Sequence, residues 1–128
     1  MNRLRTSLLA AAATLAVAAP VGLVAGPAAA DGPERTFTCG GAKVDFSIEK
    51  DDRRIEVDVD IDDAEPGSRW KVVLRHNGTK FHARTHRADD DGDVDFDRKR
   101  PDTRGKDAFV LRVKPAGATA CTARLSVR

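Results

Sequence analysis

Aromatic residues and cysteines are scarce in this sequence. Its 128 residues include one tryptophan, five phenylalanines, no tyrosine and two cysteines. Residues 1–30 have the pattern of a secretion signal, and of the 98 residues that follow only 21 are Val, Ile, Leu, Phe or Trp. A chain of this length allows one small domain with a modest core, and it excludes the barrel and doubly wound architectures of large enzymes.

A surplus of basic charge is also missing. The chain carries 22 Lys and Arg against 20 Asp and Glu, and two of the basic residues, Arg3 and Arg5, fall in the predicted signal. The 20 basic and 20 acidic residues that remain cancel. The release of counterions that drives non-specific binding to nucleic acid therefore has no obvious source, and we expect no nucleic-acid partner.

Residues 1–30 follow the three-part pattern of a signal peptide. A short basic start precedes the apolar run Leu8–Val24, and Ala28–Ala30 supplies small residues at positions −3 and −1 of a cleavage site. The alternative is an uncleaved membrane anchor, but Pro and Gly residues interrupt the apolar run. The prediction is a secreted, extracellular protein with a single domain at 31–128 and no membrane association once the signal is removed.

Several short segments alternate apolar residues with charged or polar ones. Such segments begin at Val44, Ile55, Phe109 and Cys121. A period of two indicates strands with one buried and one solvent-facing side. Turn residues recur about every 8–12 residues, as in sandwich domains, and no segment has a convincing helical pattern. We predict an all-β fold, an antiparallel immunoglobulin-like sandwich of about 7–8 strands closed by one disulfide.

Two glycine-containing turns predict how neighbouring strands pair. Asn77-Gly78 is a strong signal for a two-residue hairpin turn, and its register turns Trp70 towards the core. Gly40-Gly41 predicts a second turn, which aligns Phe37 with Val44. In both hairpins the predicted register places apolar residues together on one face.

The segment Thr85–Phe96 resembles the threonine, acidic, Asp-Gly, aromatic hairpin common in bacterial immunoglobulin-like and fibronectin-type-III-like domains. The region after the signal also resembles small secreted β-sandwich proteins of actinobacterial type. Their shared features are the Ala-rich signal, Gly67-Ser68-Arg69-Trp70, Asn77-Gly78, Asp91-Gly92, and the pair Cys39 and Cys121. The resemblance implies a fold and carries over no activity. The enediyne-binding apoproteins are similar in size and form but typically have four cysteines where this chain has two.

Cys39 and Cys121 fall on the first and last predicted strands. An even pair of cysteines in a secreted chain predicts a disulfide. The alternative, a redox-active or catalytic thiol, would favour a Cys-x-x-Cys motif or a nearby histidine, and neither occurs beside them.

The histidines and an acidic loop are the candidate metal ligands. His82 and His86 share a strand face, but at about 3.3 Å per residue they stand roughly 13 Å apart, too far for one zinc ion. They are expected on the solvent-facing side. The loop Asp89–Asp93 lacks the ligand spacing of an EF-hand, because Arg87 occupies the first ligand position. We predict no metal and no cofactor, with an adventitious calcium site in the loop as the alternative.

One pair of carboxylates is the main candidate for a catalytic arrangement. The predicted Lys50–Arg53 turn places Asp45 opposite Asp58, with Lys43 facing Asp60, and a carboxylate pair can act as general acid and base. This pair is expected on an open sheet face, and no nucleophile elbow or phosphate-binding loop is visible. We predict that the protein is not an enzyme and has no catalytic residues.

The charge pattern suggests a binding face. One predicted hairpin turns a basic set outward: Arg69, Lys71, Arg75, Lys80, His82 and Arg84. A strand of another hairpin turns Glu56, Asp58, Asp60 and Asp62 outward. Separated stripes of this kind can produce a strong local field even on a neutral protein. The alternative is that the stripes are adjacent or simply solvated.

The function that follows is a secreted, monomeric, non-enzymatic binding or envelope-associated module. Its expected partner is an anionic polymer of the cell envelope or an acidic protein. The alternative is a small secreted hydrolase or a protease-inhibitor-like protein, for which Arg98–Pro101 is the candidate exposed loop.

Overall fold

The strands around Val44, Ile55 and Phe109 follow the predicted alternation of buried and exposed residues. The computed structural model describes residues 32–128, and the predicted signal, residues 1–30, lies outside them. The strands are β1 (Glu34–Cys39), β2 (Ala42–Asp51), β3 (Arg54–Asp62), β4 (Arg69–His76), β5 (Thr79–Arg87), β6 (Val94–Pro101), β7 (Asp107–Pro115) and β8 (Cys121–Val127).

The eight strands form two antiparallel sheets that face each other as a sandwich. One sheet has the order β1-β2-β3-β6 and the other the order β5-β4-β7-β8. The predicted all-β sandwich is confirmed. The part of the chain that the structure describes contains no helix long and apolar enough to span a membrane.

The core lies between the sheets and is filled by the inward residues of both. Val44, Phe46 and Ile48 of β2 face inward, and each is at most 1 % exposed. Trp70 on β4 is buried at 2 % exposed, and its indole Nε1–H donates to Ser68 Oγ at 3.1 Å. Its predicted position in the core is confirmed, and the indole N–H keeps a hydrogen-bond partner, as buried donors require.

A disulfide joins Cys39 at the end of β1 to Cys121 at the start of β8. The two α-carbons lie 6.0 Å apart, and the bonded residues are 82 positions apart in sequence. Because β1 and β8 belong to different sheets, the bond ties the two layers together at one edge of the sandwich. The predicted pairing is confirmed.

The first two hairpins differ in how well their registers follow from sequence. The Gly40-Gly41 turn aligns Phe37 with Val44, as predicted. The next turn is the two-residue Asp52-Arg53, so Asp45 faces Asp60, and the predicted pairing of Asp45 with Asp58 is wrong. A shift of two residues leaves a period-two pattern unchanged, so alternation alone could not detect the error.

A β-bulge alters the third hairpin. The Asn77-Gly78 turn forms with φ of 47° and 83°, as a type I′ turn requires. Beyond Arg75 the pairing shifts, so that Leu74 faces His82 and Trp70 faces His86. The extra residue of β5 turns its histidines towards the interior, the opposite of the prediction from uninterrupted pairing.

Candidate functional site

The outward side of the sheet β5-β4-β7-β8 carries only basic charge. In its four strands the single acidic residue is Asp107, which is 0 % exposed and points inward. The outward basic residues, hereafter the basic face, are Arg69, Lys71, Arg75, Lys80, Arg87, Arg112, Lys114 and Arg124. Four of these were predicted from sequence, namely Arg69, Lys71, Arg75 and Lys80.

Two residues predicted for this surface lie elsewhere. His82 is only 5 % exposed, because the bulge turns it inward. Arg84 is exposed but shares the side of β5 that carries His82, so it borders the sandwich edge. Both predictions are wrong for the same physical reason, a register shift of one residue, which exchanges the two faces of a strand.

Three residues of the basic face could not be placed from the hairpin alone. Arg112 and Lys114 lie on β7, which pairs with β4, and Arg124 lies on β8. The available signal was the alternation of these residues with buried Leu111 and Val113. Alternation shows that they point outward, but only the long-range pairing of β4 with β7 brings them to this face.

The basic face is a shallow surface without aromatic side chains. A depression of about 450 Å³ lies near its centre and is lined by Lys71, Val73, Arg75, Lys80, Ala83, Val110, Arg112 and Thr122. A second, of about 250 Å³, is lined by Arg69, Lys71, Thr85, Lys114 and Ala116. Charge and small side chains, rather than flat rings, are what this surface offers to a ligand.

The outward side of the other sheet carries mostly acidic charge. The acidic residues that alternation places there, hereafter the acidic face, are Glu34, Asp45, Glu49, Asp51, Glu56, Asp58, Asp60, Asp62, Asp95 and Asp97. Lys43, Arg54 and Lys99 are the basic residues at outward positions of this sheet. The two predicted charge stripes therefore lie on opposite faces of the sandwich and are not adjacent.

The basic residues at inward positions of the same sheet point to its edges. The Arg98 guanidinium lies 5.7 Å from the Phe96 ring centre, and that of Arg100 lies 4.7 Å from the Phe81 ring centre. Lys50 pairs with Asp102 at 3.3 Å. These three basic side chains therefore do not contribute to the acidic face, which leaves that face mostly negative.

Carboxylates face each other across neighbouring strands of the acidic face. Asp60 lies between Asp45 and Asp95, and Asp58 faces Asp97. Burial, a hydrogen bond with Asp95 and nearby negative charge raise the pKa of Asp60 to about 6. Burial, followed by repulsion from neighbouring carboxylates, raises the pKa of Asp58 to about 6. These groups take up protons easily, but they lie on an open face without the walls that general acid–base catalysis needs.

Lys43 does little to reduce the repulsion among the carboxylates around Asp58 and Asp60. It was predicted to face Asp60, but it pairs in register with Asp62. Its Nζ lies 3.4 Å from a carboxylate oxygen of Asp45. The repulsion at Asp58 and Asp60 is therefore left without a neighbouring cation among the ion pairs of residues 32–128.

Replacing Asp60 by Asn should stabilise the protein at pH 8 and not at pH 4. The amide resembles the protonated carboxyl. A carboxyl whose pKa rises from 3.8 to about 6 on folding lowers the stability progressively as the pH rises through that interval, and the whole cost is present above about pH 6. We expect a gain of about 0.5–1 kcal/mol at pH 8, modest because solvent screens the exposed row. Denaturant unfolding at both pH values measures it. Glu65→Gln, in an exposed turn, is the control, and an equal gain at both pH values would contradict the interpretation.

His82 and His86 form a closed cluster with Phe96 at the edge between β5 and β6. Their Nε2 atoms lie 2.9 Å apart, and both rings stack on Phe96, with centroid distances of 4.6 and 4.4 Å. The predicted separation of 13 Å counts only the rise along the strand and neglects the reach of two side chains turned towards each other. The predicted solvent exposure is also wrong, since His82 is buried and His86 is half-buried.

The electrostatics of this cluster disfavour a bound cation. Burial, with Arg98, His86 and Arg84 nearby, lowers the pKa of His82 to about 4. Burial and the same two arginines lower the pKa of His86. Burial is the main cause that favours neutral imidazoles, and the nearby guanidinium groups add to it and also repel a metal ion. One of the two facing Nε2 atoms carries a hydrogen and donates it to the other, so each has a hydrogen-bond partner.

A buried His–Asp pair occupies the opposite end of this edge. His76 Nε2 lies 2.7 Å from Asp107 Oδ1, and Arg100 Nε donates to His76 Nδ1 at 3.3 Å. Thr103 donates to Asp107 through both its hydroxyl and its backbone N–H. In a nucleophile–His–Asp triad one imidazole nitrogen faces the nucleophile. Here both are occupied, so the pair fastens the β6–β7 loop to the core instead.

The acidic loop brings three carboxylates together. Ligand atoms of Asp89, Asp91 and Asp93 lie within 4.8 Å of one another. Asp89 Oδ1 already accepts the backbone N–H groups of Asp91 and Asp93, at 3.0 and 2.9 Å. The loop is acidic as expected, but the predicted hairpin is wrong, because the loop crosses from β5 in one sheet to β6 in the other. Its geometry is that of a turn stabilised by an aspartate side chain.

Comparison of the chain with protein-family models, with curated proteins and with solved structures gives no match. The resemblance to immunoglobulin-like and fibronectin-type-III-like domains therefore stays a prediction.

Proposed function

We propose that this protein is a secreted, non-enzymatic binding module whose basic face attaches it to an anionic polymer of the cell envelope. The observation that carries the proposal is a four-stranded face with eight basic residues and no outward acid. Secretion is supported by the signal-like residues 1–30 and by the disulfide, since such bonds persist in oxidising compartments.

The basic charges are close enough to act together. Alternate residues along a strand are about 6.6 Å apart, and neighbouring strands are about 4.8 Å apart. Both spacings are shorter than the Debye length, about 8 Å at physiological ionic strength. A polymer with regularly repeated phosphates or carboxylates can therefore contact several of these side chains at once, although each exposed pair by itself contributes little.

The lack of aromatic side chains on this face favours a simple polyanion over nucleic acid or neutral sugar. Proteins that bind single-stranded nucleic acid combine positive charge with rings on which bases stack. The phenylalanines and Trp70 pack against or within the core. A flexible polymer such as a teichoic acid or an acidic glycan needs only the charge that the face provides.

The alternative functions have less support. The segment Arg98–Pro101, suggested as an inhibitory loop, is part of β6 and pairs with β3, so the prediction of a loop there is wrong. The nitrogens of His76 are both engaged, and His82 and His86 bond to each other. A hydrolase would need at least one of these bases to be open to substrate.

The test is binding of poly(glycerol phosphate), with neutral dextran as the reference polymer, measured by calorimetry at 150 mM salt. The variant Lys71→Glu/Arg112→Glu, at the centre of the basic face, should weaken binding at least tenfold. The control Arg53→Glu/Arg104→Glu changes the net charge equally but lies in exposed turns outside the face, and it should stay within twofold of the parent. Equal losses in both variants, or tighter binding to duplex DNA, would overturn the proposal.

A further inference from the structure

We propose that the acidic face of one copy docks on the basic face of a second copy, so that the protein forms head-to-tail stacks. This goes beyond the proposed function and does not depend on it. This association differs from the monomer expected from the sequence, because a net charge of zero does not show that the two signs lie on separate faces.

The two faces are complementary in charge and similar in extent. Each is the outward side of a four-stranded sheet, and the two sheets form opposite layers of one sandwich. Ten acidic residues stand on one face and eight basic residues on the other. A stack built from such units accumulates no net charge as it grows, which permits addition of further copies.

The charges on both faces are largely unpaired within one molecule. Across residues 32–128 the only ion pair on the acidic face joins Lys43 to Asp45, and no basic-face residue forms one. Within residues 32–128 no basic side chain forms an ion pair with Asp58 or Asp60. Cations from the basic face of another copy would relieve the repulsion at these carboxylates directly.

The arrangement also decides the symmetry of association. A two-fold dimer brings the same patch of both copies together, which here would oppose like charges. Contact between different patches is heterologous and generates a ring or an open array. Because the two faces lie on opposite sides of the sandwich, repetition of the contact gives a linear stack.

Sedimentation equilibrium of the purified secreted protein tests the inference through its salt dependence. Screening falls off over about 30 Å at 0.01 M salt and about 3 Å at 1 M. We expect the weight-average mass to rise with concentration at 10–20 mM salt and to return to the single-chain value at 1 M salt. A single-chain mass up to millimolar concentration at low salt would overturn the proposal.

Two complementary variants test which surfaces are in contact. Lys71→Glu/Arg112→Glu spoils the basic face, and Asp60→Lys/Asp95→Lys spoils the acidic face. Each variant alone should remain a single chain at low salt. Mixed in equal amounts they should form a one-to-one complex and stop there, because only one intact face of each sign remains. A mixture that stays unassociated, or single variants that still form stacks, would contradict the proposal.

The same variants separate this inference from the proposed function. Asp60→Lys/Asp95→Lys keeps an intact basic face, so at 150 mM salt and at concentrations where the parent is a single chain, its binding of poly(glycerol phosphate) should stay within twofold of that of the parent. Loss of stacking with retained polymer binding, and retained stacking without polymer binding, are therefore distinguishable results.

Discussion

Trp70→Ala should lower the free energy of unfolding by about 3–5 kcal/mol, which is the usual cost of removing a large buried aromatic side chain. Trp70 is 2 % exposed and is the largest of the fully buried side chains. A domain of this size is stable by only about 0.05–0.15 kcal/mol per residue. The variant should therefore be mostly unfolded at 37 °C unless the disulfide preserves it. Circular dichroism and denaturant unfolding measure the loss.

Lys71→Ala, at the next position but on the basic face, is the matched control and should change stability by less than about 0.5 kcal/mol. In the parent protein the fluorescence of Trp70 should be blue-shifted and poorly quenched by iodide. The competing view is an exposed platform for sugar stacking. It would be favoured if Trp70→Ala stayed folded and emission from the parent were red-shifted and easily quenched.

The second large effect is expected from the disulfide. Replacing Cys39 and Cys121 together by Ala should cost about 4–4.5 kcal/mol, because the bond closes a loop of 82 residues and restricts the unfolded chain. That loss is comparable to the whole stability of a small domain with so few large apolar residues. Urea unfolding followed by tryptophan fluorescence measures it.

Reductant provides the control for the disulfide experiment. It should destabilise the parent protein by a similar amount and leave the double variant unchanged. Mass analysis after alkylation without reductant should find no free thiol in the parent. Alkylation of both cysteines under those conditions would show that the bond is not formed in the secreted protein.

Strands and buried faces could be predicted from sequence because alternation records burial directly. Val44, Phe46 and Ile48 alternate with polar residues and are buried as predicted. The Gly40-Gly41 turn placed Phe37 correctly because both residues adopt positive φ, which glycine accepts without strain. Where local backbone chemistry specifies the turn, the register could be predicted too.

Pairing over longer distances could not be predicted in the same way. The Asp52-Arg53 turn has no glycine. The positive φ of Asp52, 56°, therefore could not be predicted from the local sequence. No feature of the sequence pattern indicates the bulge in β5, yet because of it His82 points to the interior and not to the solvent. The contribution of Arg112 and Lys114 to the basic face depends on the pairing of β7 with β4, which no local pattern specifies.

The bulge in β5 also has a consequence for aggregation. Strands at the border of a sheet carry unpaired backbone groups that can recruit another chain and start a fibril. In β5 the bulge breaks the regular spacing of those groups, and in β6 the border is occupied by Arg98, Lys99, Arg100 and Pro101. Charge, proline and bulges are the features that keep such borders from joining. The borders formed by β5 and β6 should therefore not recruit another chain into a fibril.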